Sequence, residues 1–358
     1  MKKIRKILFI ILFFLNLNAK KEIVIFIHGS IAPLTSIPTS VDELKELFGQ
    51  TDTQEKTKFT NNILSRFYQR HLNQSRIDGI HKYQPISNLG LKKFGKGKNK
   101  KQLKIFQKLF TQSFKQVNPN LKHEFYTFGW DGRIDEEKRK KWAQILYKKL
   151  IKIRKKLKKQ KETTVFQIYA HSHGGNVALN LSDMEKTYNK NLKIKNLVLF
   201  ATPIQENASN LIKSDIFENI YHIYSEADYI QTMENKILSK TQKRFTSNNL
   251  PQKLKQIEVE SEKQKPTHWE LWFYGKMNSN FIQTIIYQNI LYKKDFPLYP
   301  YPVSVFIPQT IRKINANKNL KNQQDLYLNI SRTKKKNNFE IKITPQPKKS
   351  IQIEFKSA

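Results

Sequence analysis

The sequence predicts an α/β protein built on a mainly parallel sheet, and three observations support this fold class. Short apolar runs with the composition of buried strands recur along the chain, separated by segments with helical apolar spacing. The run over 23–27 is unbroken rather than alternating, as expected for a strand that helices cover on both faces. Regular alternation of strands and helices favours a parallel sheet, with functional residues at the carboxyl ends of its strands. The predicted strands are residues 23–27, 123–130, 163–169, 197–200 and 219–224, with 254–259 as a weaker candidate.

Residues 1–19 predict a signal peptide. A basic start is followed by an unbroken apolar run over 7–15, which is short for a membrane span. Cleavage is expected after Ala19, although Leu17 is an imperfect residue at the third position before the cut. We therefore expect an exported protein, periplasmic or secreted, with retention as an N-terminal membrane anchor as the alternative. The chain has no cysteine, which excludes disulfides and thiolate metal sites.

The charge of the chain is strongly positive. Its 358 residues carry a formal net charge of +36, which suits an anionic membrane surface or nucleic acid as a partner. No zinc-finger, Walker-type or RNP-like motif accompanies the charge, so nucleic acid is the weaker alternative. Residues 148–161 are dense in Lys and Arg without an acid, within a helix predicted over 135–159. A solvated outer face of a sheet-covering helix is the favoured interpretation of this run.

A long insertion interrupts the predicted main domain, which covers residues 20–296. It spans residues 31–122, far more chain than a crossover between parallel strands needs. Helices are predicted after the capping box Ser40-x-x-Glu43 and over 59–72 and 103–117, with a loop rich in Gly, Lys and Asn over 87–101. The insertion either folds over the site as a cap or forms a surface embellishment.

Residues 297–358 predict a β-rich C-terminal extension. Closely spaced prolines end the main domain between 297 and 302. Apolar residues alternate over 339–343 and 351–355, which predicts a half-buried hairpin. Residues 303–307 and 326–330 complete the small β extension.

The central motif of the chain follows the strand over 163–169. The sequence there is TTVFQIYAHSHGG, which places Ser172 on a tight turn between small residues, before a helix. Such a strand–turn–helix is the nucleophile elbow, which lifts the serine hydroxyl clear of the sheet. The elbow directs the backbone N–H of His173 toward a developing oxyanion. Ala170 and Gly174 are the small residues of this A-x-S-x-G variant.

A second part of an acyl-transfer site follows the first predicted strand. His28, Gly29 and Ser30 come directly after the apolar run over 23–27. Gly29 allows the chain to turn, so that the N–H of Ser30 can serve as the other oxyanion donor. The His-Gly pair is weak evidence alone and gains weight from the elbow.

The order of these motifs resembles the α/β-hydrolase superfamily, in particular compact bacterial lipases and esterases. The His-Gly turn is followed by the serine elbow, then by Asp228 after a strand, then by His268 after the weaker last strand. The resemblance covers roughly residues 22–292 and implies Ser172 as nucleophile, His268 as general base and then acid, and Asp228 as the carboxylate that orients the imidazole. The Ala170 elbow, the long insertion and the basic surface depart from the family pattern.

Other assignments compete for the acid and the base. Glu206, after Pro203, is the alternative acid, because some lipases take it from the preceding strand. Among the other histidines, His171 and His173 border the elbow, where packing or hydrogen bonding is favoured over an H-x-H metal pair without an evident third ligand. His222 lies inside a strand, while His71, His81 and His123 precede the elbow.

The sequence therefore predicts an exported serine hydrolase that cleaves carboxylic esters, of a lipid-like kind, through an acyl-enzyme on Ser172. The chemistry needs no metal and no organic cofactor. An acyltransferase or amidase with the same triad is the alternative among enzymes. A catalytically inactive, basic surface-binding protein on a hydrolase fold is the alternative of another class.

Overall fold

A computed structural model gives the fold of the chain. It describes residues 20–29, 89–94, 100–132, 135–228, 241–246, 249–272, 297–298, 301–334 and 338–346. The predicted signal peptide, Ser30, most of the insertion and the alternating segment over 351–355 lie outside these residues.

Most strands of the described chain belong to one nine-stranded sheet, in the order β11-β10-β9-β7-β5-β4-β1-β3-β2. The first of them in the chain are β1 (Lys20–Ile27), β2 (Gly90–Lys93), β3 (Lys122–Gly129), β4 (Thr163–His171) and β5 (Ile194–Phe200). They are followed by β7 (Phe217–Tyr224), β9 (Leu254–Glu260), β10 (Asp325–Arg332) and β11 (Phe339–Pro345). A separate two-stranded sheet pairs β6 (Ile204–Gln205) with β8 (Thr241–Gln242).

The sheet is mainly parallel, as the sequence predicts. From β3 across to β10, every neighbouring pair is parallel. Only the two outermost strands of the order, β2 and β11, run antiparallel to their neighbours. The strands over 163–171 and 254–260 confirm the predicted elbow strand and the weaker candidate strand.

Helices pack on both faces of this sheet. The described ones are α1 (Lys100–Val117), α2 (Glu136–Lys159), α3 (His173–Leu179), α4 (Leu181–Tyr188), α5 (Ala208–Leu211), α6 (Ile307–Ala316) and α7 (Lys318–Asn322). Apolar residues of α2, α3 and α4 share one buried cluster with one face of the sheet. Those of α1, α6 and α7 share a second cluster with the other face. Coverage from both sides explains why residues 23–27 and 197–200 are apolar on both faces of the sheet.

The extension predicted to be β-rich contains helices as well as strands. Residues 303–306 form a 3₁₀-helix that leads into α6, although their apolar, β-branched composition predicts a strand. Pro302 precedes this turn and Pro308 lies in the first turn of α6, where a missing N–H costs nothing. Residues 339–345 pair with 325–332, and both strands extend the main sheet, while 351–355 lie outside the described residues. The strand after which His268 falls is therefore not the last one of the sheet.

The described ends of the insertion agree with the sequence in part. Helix α1 covers the predicted helix over 103–117 and begins at Lys100. The segment over 87–101, predicted as a loop, contains the short edge strand β2, paired with β3. Helices predicted after Ser40 and over 59–72 lie outside the described residues, and so does most of the cap predicted there.

Candidate active site

Ser172 occupies a strained turn between β4 and α3. Its backbone has φ 51° and ψ −135°, a conformation that residues other than glycine rarely adopt. Strain of this kind costs roughly 1–3 kcal/mol and persists only where the surrounding structure enforces it. The N–H of Ser172 donates to the carbonyl oxygen of Phe200, at the end of β5, over 2.8 Å. The sequence motif therefore adopts the geometry that it predicts for an elbow.

Two glycines after Ser172 are required by close contacts with neighbouring strand ends. A Cβ atom on Gly174 would lie 2.2 Å from the carbonyl oxygen of His28, which follows β1. A Cβ atom on Gly175 would lie 2.1 Å from Oγ1 of Thr202, which follows β5. Both distances are far below van der Waals contact, so α3 can begin here only if these residues lack side chains. Ala170 is fully buried on β4, which lies between β1 and β5 in the sheet.

The turn after β1 packs directly against the elbow. A Cβ atom on Gly29 would lie 2.7 Å from Cβ of Ser172, so glycine is needed for this approach. The His28 ring accepts the backbone N–H of Trp130 at Nε2, over 3.2 Å, and its Nδ1 lies 2.6 Å from the oxygen of Gly29. The indole N–H of Trp130 donates to the carbonyl oxygen of His28 over 2.7 Å. These bonds tie the ends of β1 and β3 together and give His28 a supporting place, as its position next to the turn suggests.

His268 and Asp228 form a buried pair at the same edge of the sheet. The Nδ1 atom of His268 lies 2.8 Å from Oδ2 of Asp228, and the two side chains are 4% and 0% exposed. Asp228 follows β7 in a turn closed by its own N–H, which donates to the oxygen of Ser225. Glu206, the alternative acid, is exposed in the turn after β6. The structure thus brings Asp228, and not Glu206, into hydrogen-bond contact with His268.

A small network of backbone and side-chain bonds holds the turn that carries His268. The carboxylate of Glu270 accepts the backbone N–H of Thr267 over 2.7 Å and its hydroxyl over 2.9 Å. Burial raises the pKa of Glu270, while the two bonds from Thr267 act in the opposite direction. The N–H groups of Val303 and Ser304 donate to the oxygens of Glu270 and Leu271. Two N–H groups of the 3₁₀-helix over 303–306 therefore donate to this turn instead of to a neighbouring strand.

His171 connects this turn to the elbow. Its Nε2 lies 3.0 Å from the carbonyl oxygen of His268, and the centres of the two rings are 4.5 Å apart. On another side its ring stacks on Trp272, with the planes inclined by 7°. Burial holds the pKa of His171 well below its usual range, and the nearby His268 lowers it further. A neutral His171 must carry its proton on Nε2 to donate to this carbonyl.

The remaining predicted residues are placed as follows. His173 is the first residue of α3 and is fully buried, so its backbone N–H lies in the first turn of that helix. Ser30, the other predicted oxyanion donor, lies outside the described residues. His222 is buried within β7, and burial lowers its pKa to about 3. The Nε2 atom of His123 lies 2.9 Å from Oε2 of Glu22, away from the elbow.

The sequence analysis did not identify the residues that hold the His268 turn and His171 in place. Trp272 and Glu270 both contact the His268 turn or its neighbours, and neither was singled out. The spacing Thr267-x-x-Glu270 is a capping-box pattern and could have revealed the turn. Within the described part of the chain, no group of three or more His, Cys, Asp or Glu side chains is placed to hold a metal ion.

No protein-family model matches the chain, and no similar chain is found among curated proteins or among solved structures.

Proposed function

We propose that the chain is a serine hydrolase of the α/β-hydrolase type that cleaves carboxylic esters through an acyl-enzyme on Ser172. One observation carries this proposal. The buried pair of His268 and Asp228, 2.8 Å apart, is tied through the His268 carbonyl to the residue before a serine in elbow geometry. A buried histidine–carboxylate pair bonded to the residue next to a serine on a strained turn is what a Ser-His-Asp hydrolase requires.

In the proposed reaction, His268 removes the proton of the Ser172 hydroxyl as its oxygen attacks the ester carbonyl carbon. A neutral imidazole that donates its Nδ1–H to Asp228 leaves Nε2 as the acceptor for that proton. The imidazolium then gives the proton to the departing alcohol, which leaves the acyl group on Ser172. Water, deprotonated by His268, releases the acid and restores the serine.

Asp228 has two tasks in this scheme. It fixes the tautomer and orientation of His268, and its charge stabilises the imidazolium that forms. Both tasks benefit from burial, because a charge acts more strongly where water is excluded. The oxyanion of the tetrahedral intermediate would accept the N–H of His173, with the N–H of Ser30 as the second proposed donor.

The substrate class is proposed to be esters of a lipid-like kind, and the place of action the periplasm or the exterior. The signal peptide predicted over residues 1–19 supports export, with membrane anchoring by the same segment as the alternative. Among the residues that the structure describes, no helix combines the length and the hydropathy needed to cross a bilayer.

A screen of hydrolysis against esters of graded acyl length, run beside amides and acyl-acceptor alcohols, tests this function. We expect turnover of esters, with loss of activity in a Ser172→Ala variant. Turnover of amides alone, or transfer to the alcohol without net hydrolysis, would move the assignment to an amidase or an acyltransferase. A folded protein that turns over none of these and resists fluorophosphonate labelling would be the inactive, surface-binding alternative.

A further inference from the structure

The edge of the sheet opposite Ser172 carries a lysine at or before the start of most of its parallel strands. We call this side the amino edge, since the parallel strands begin there, and the side of Ser172 the carboxyl edge. All but Lys253 of these lysines are exposed, and Lys253 is half-buried. The amino-edge cluster consists of Lys122, Lys161, Lys193, Lys213, Lys253 and Lys321.

Helix ends add to the positive charge on this side. Helix α2 leads from the end of β3 to the start of β4, so its last turn lies at the amino edge. That turn contains Lys156, Lys158 and Lys159, and the last turns of α1 and α4 contain Lys115 and Lys186. Lysines are favourable at the negative end of a helix dipole, which explains their place in the fold. The basic run over 148–161 thus belongs to the half of α2 that is farther from Ser172.

Neighbouring acids neutralise this cluster only in part. Lys253 donates to the backbone oxygens of Lys213 and Ser214, not to a carboxylate. Burial lowers the pKa of Lys253, and the nearby Lys193 lowers it further against the opposing effect of Asp215. Asp215 and Glu218 are exposed on this side, whereas Glu162 and Glu124 are paired with Lys21.

The carboxyl edge has a different balance of charge. Glu136 and Glu137 open α2 on that side, where both contact Lys140. Glu206 and Glu226 follow β6 and β7 there. Lys334 follows β10 and also lies at this edge. The amino-edge cluster therefore lies on the side of the sheet opposite the candidate active site, while acidic side chains are found at both edges.

The chain enters the fold at the amino edge. Strand β1 begins at Lys20, and the apolar run over 7–15 precedes it by only four residues. Four extended residues span at most about 14 Å. In the uncleaved chain the apolar run is therefore joined to the amino edge by a short linker.

We propose that the amino edge docks on an anionic lipid bilayer, with the carboxyl edge and Ser172 facing away from the surface. The lysines match the negative charge of the lipid headgroups. Before cleavage, or where the segment is retained as an anchor, the adjoining apolar run suits the hydrocarbon of a bilayer and has no binding place on a nucleic acid, which makes a bilayer the favoured polyanion. Docking in this orientation does not depend on hydrolysis at Ser172.

Binding to vesicles tests the charge of the edge. The full chain is titrated with phosphatidylcholine vesicles, with and without phosphatidylserine, in rising salt. The test variant combines Lys161→Gln, Lys213→Gln and Lys321→Gln. The control combines Lys263→Gln, Lys141→Gln and Lys334→Gln, which removes the same charge from exposed sites elsewhere. Lys161 and Lys263 both have positive φ, so backbone strain is matched.

We expect the amino-edge variant to lose at least tenfold in affinity for the anionic vesicles, since each lysine at the surface contributes about fivefold. The control should lose clearly less, and salt should weaken all three proteins toward their binding to neutral vesicles. Equal losses of affinity in the two variants would mean that vesicle binding depends on net charge alone, which would contradict docking by the amino edge. Equal binding of neutral and anionic vesicles, or displacement from anionic vesicles by duplex DNA at equal charge concentration, would overturn the proposal.

Orientation is measured separately, with single labels. The chain has no cysteine, so Asn120→Cys at the amino edge and Asn207→Cys at the carboxyl edge each give one labelling position. Both residues are exposed. A fluorophore at position 120 should be quenched by lipids with spin-labelled headgroups, while one at position 207 should keep its emission. The reverse pattern, or equal quenching, would contradict docking by the amino edge even if vesicles bind.

Discussion

The Nε2 atom of His171 lies 3.0 Å from the carbonyl oxygen of His268, so the residue before the proposed nucleophile holds the turn that carries the proposed base. His171 therefore has a positioning role in our account, although it touches neither substrate nor reacting atoms. Burial of His171 holds its pKa well below the usual range, so its ring is neutral near pH 7 and makes this bond as the Nε2–H tautomer.

Replacement of His171 should reduce kcat while the protein remains folded. His171→Phe keeps a ring against Trp272 but cannot donate to His268, so we expect kcat for an ester to fall about tenfold, the cost of one lost hydrogen bond. His171→Gln, which retains an N–H donor, should recover part of this loss. The measurement is kcat and KM for all three proteins, with urea unfolding as the control. Equal kcat in the Phe variant and the unmodified protein would remove the positioning role.

The acid is tested by a pair of substitutions. Asp228→Asn should lower kcat by orders of magnitude, because the amide favours the wrong tautomer of His268; the worked serine-protease triad loses about 10⁴-fold. Glu206→Gln should lose far less, since Glu206 is exposed while Asp228 holds the imidazole. The measurement is ester turnover at fixed pH. The opposite ranking would transfer the role of acid to Glu206.

Close packing at the elbow predicts a strong effect of one added methyl group. In Gly174→Ala the new Cβ would meet the His28 oxygen at 2.2 Å, so the variant should lose about 1–3 kcal/mol of stability and most fluorophosphonate labelling. Gly90→Ala is the control, because its Cβ would meet nothing within 4 Å, although its φ of +84° carries strain. The control should label at the unmodified rate. Normal labelling of Gly174→Ala would show that the elbow does not need the close approach of residue 174 to the His28 oxygen.

Buried histidines predict a loss of stability in mild acid. Burial lowers the pKa of His222 to about 3, below the value of about 6.5 expected in the unfolded chain. Between these values the unfolded state binds one more proton than the folded state. The contribution of His222 to the free energy of unfolding is therefore fully present above about pH 6.5 and is lost as the pH falls. The slope from His222 should approach 1.4 kcal/mol per pH unit.

Urea unfolding at several pH values between 7 and 5 measures this slope. In His222→Gln the pH slope of the free energy of unfolding should be smaller by up to about 1.4 kcal/mol per pH unit, which is the contribution of one proton. The titrating group is gone in this variant, while the other histidines remain. An unchanged slope in the variant would show that His222 titrates alike in the folded and unfolded states. The difference between the two proteins cancels the contribution of the carboxylates.

The sequence predicts the parallel core of the fold well, and the reason is periodicity. Runs such as residues 23–27 are apolar on both faces only because helices cover both sides of the sheet, and this requirement is local and readable. The strained turn at Ser172 was equally readable, since it needs small residues at fixed spacing. The bond between Asp228 and His268 was expected from the resemblance to α/β-hydrolases rather than from spacing.

The C-terminal region resisted prediction because tertiary contacts decide it. Residues 303–307 have strand-like composition, yet their N–H groups bond the His268 turn and the following proline admits a helix. Strand β10 joins the sheet beside β9, a partner far away in sequence that no local pattern reveals. The supporting contacts of His171 and Trp272 are equally nonlocal.

The most direct test of the central claim is fluorophosphonate labelling of the purified protein and of its Ser172→Ala variant. Ser182→Ala, at another buried serine, is the matched control. Circular dichroism verifies that all three proteins are folded. We predict that the unmodified protein and the control are labelled at similar rates and that Ser172→Ala is not labelled. Undiminished labelling of folded Ser172→Ala would contradict the assignment of Ser172 as the nucleophile.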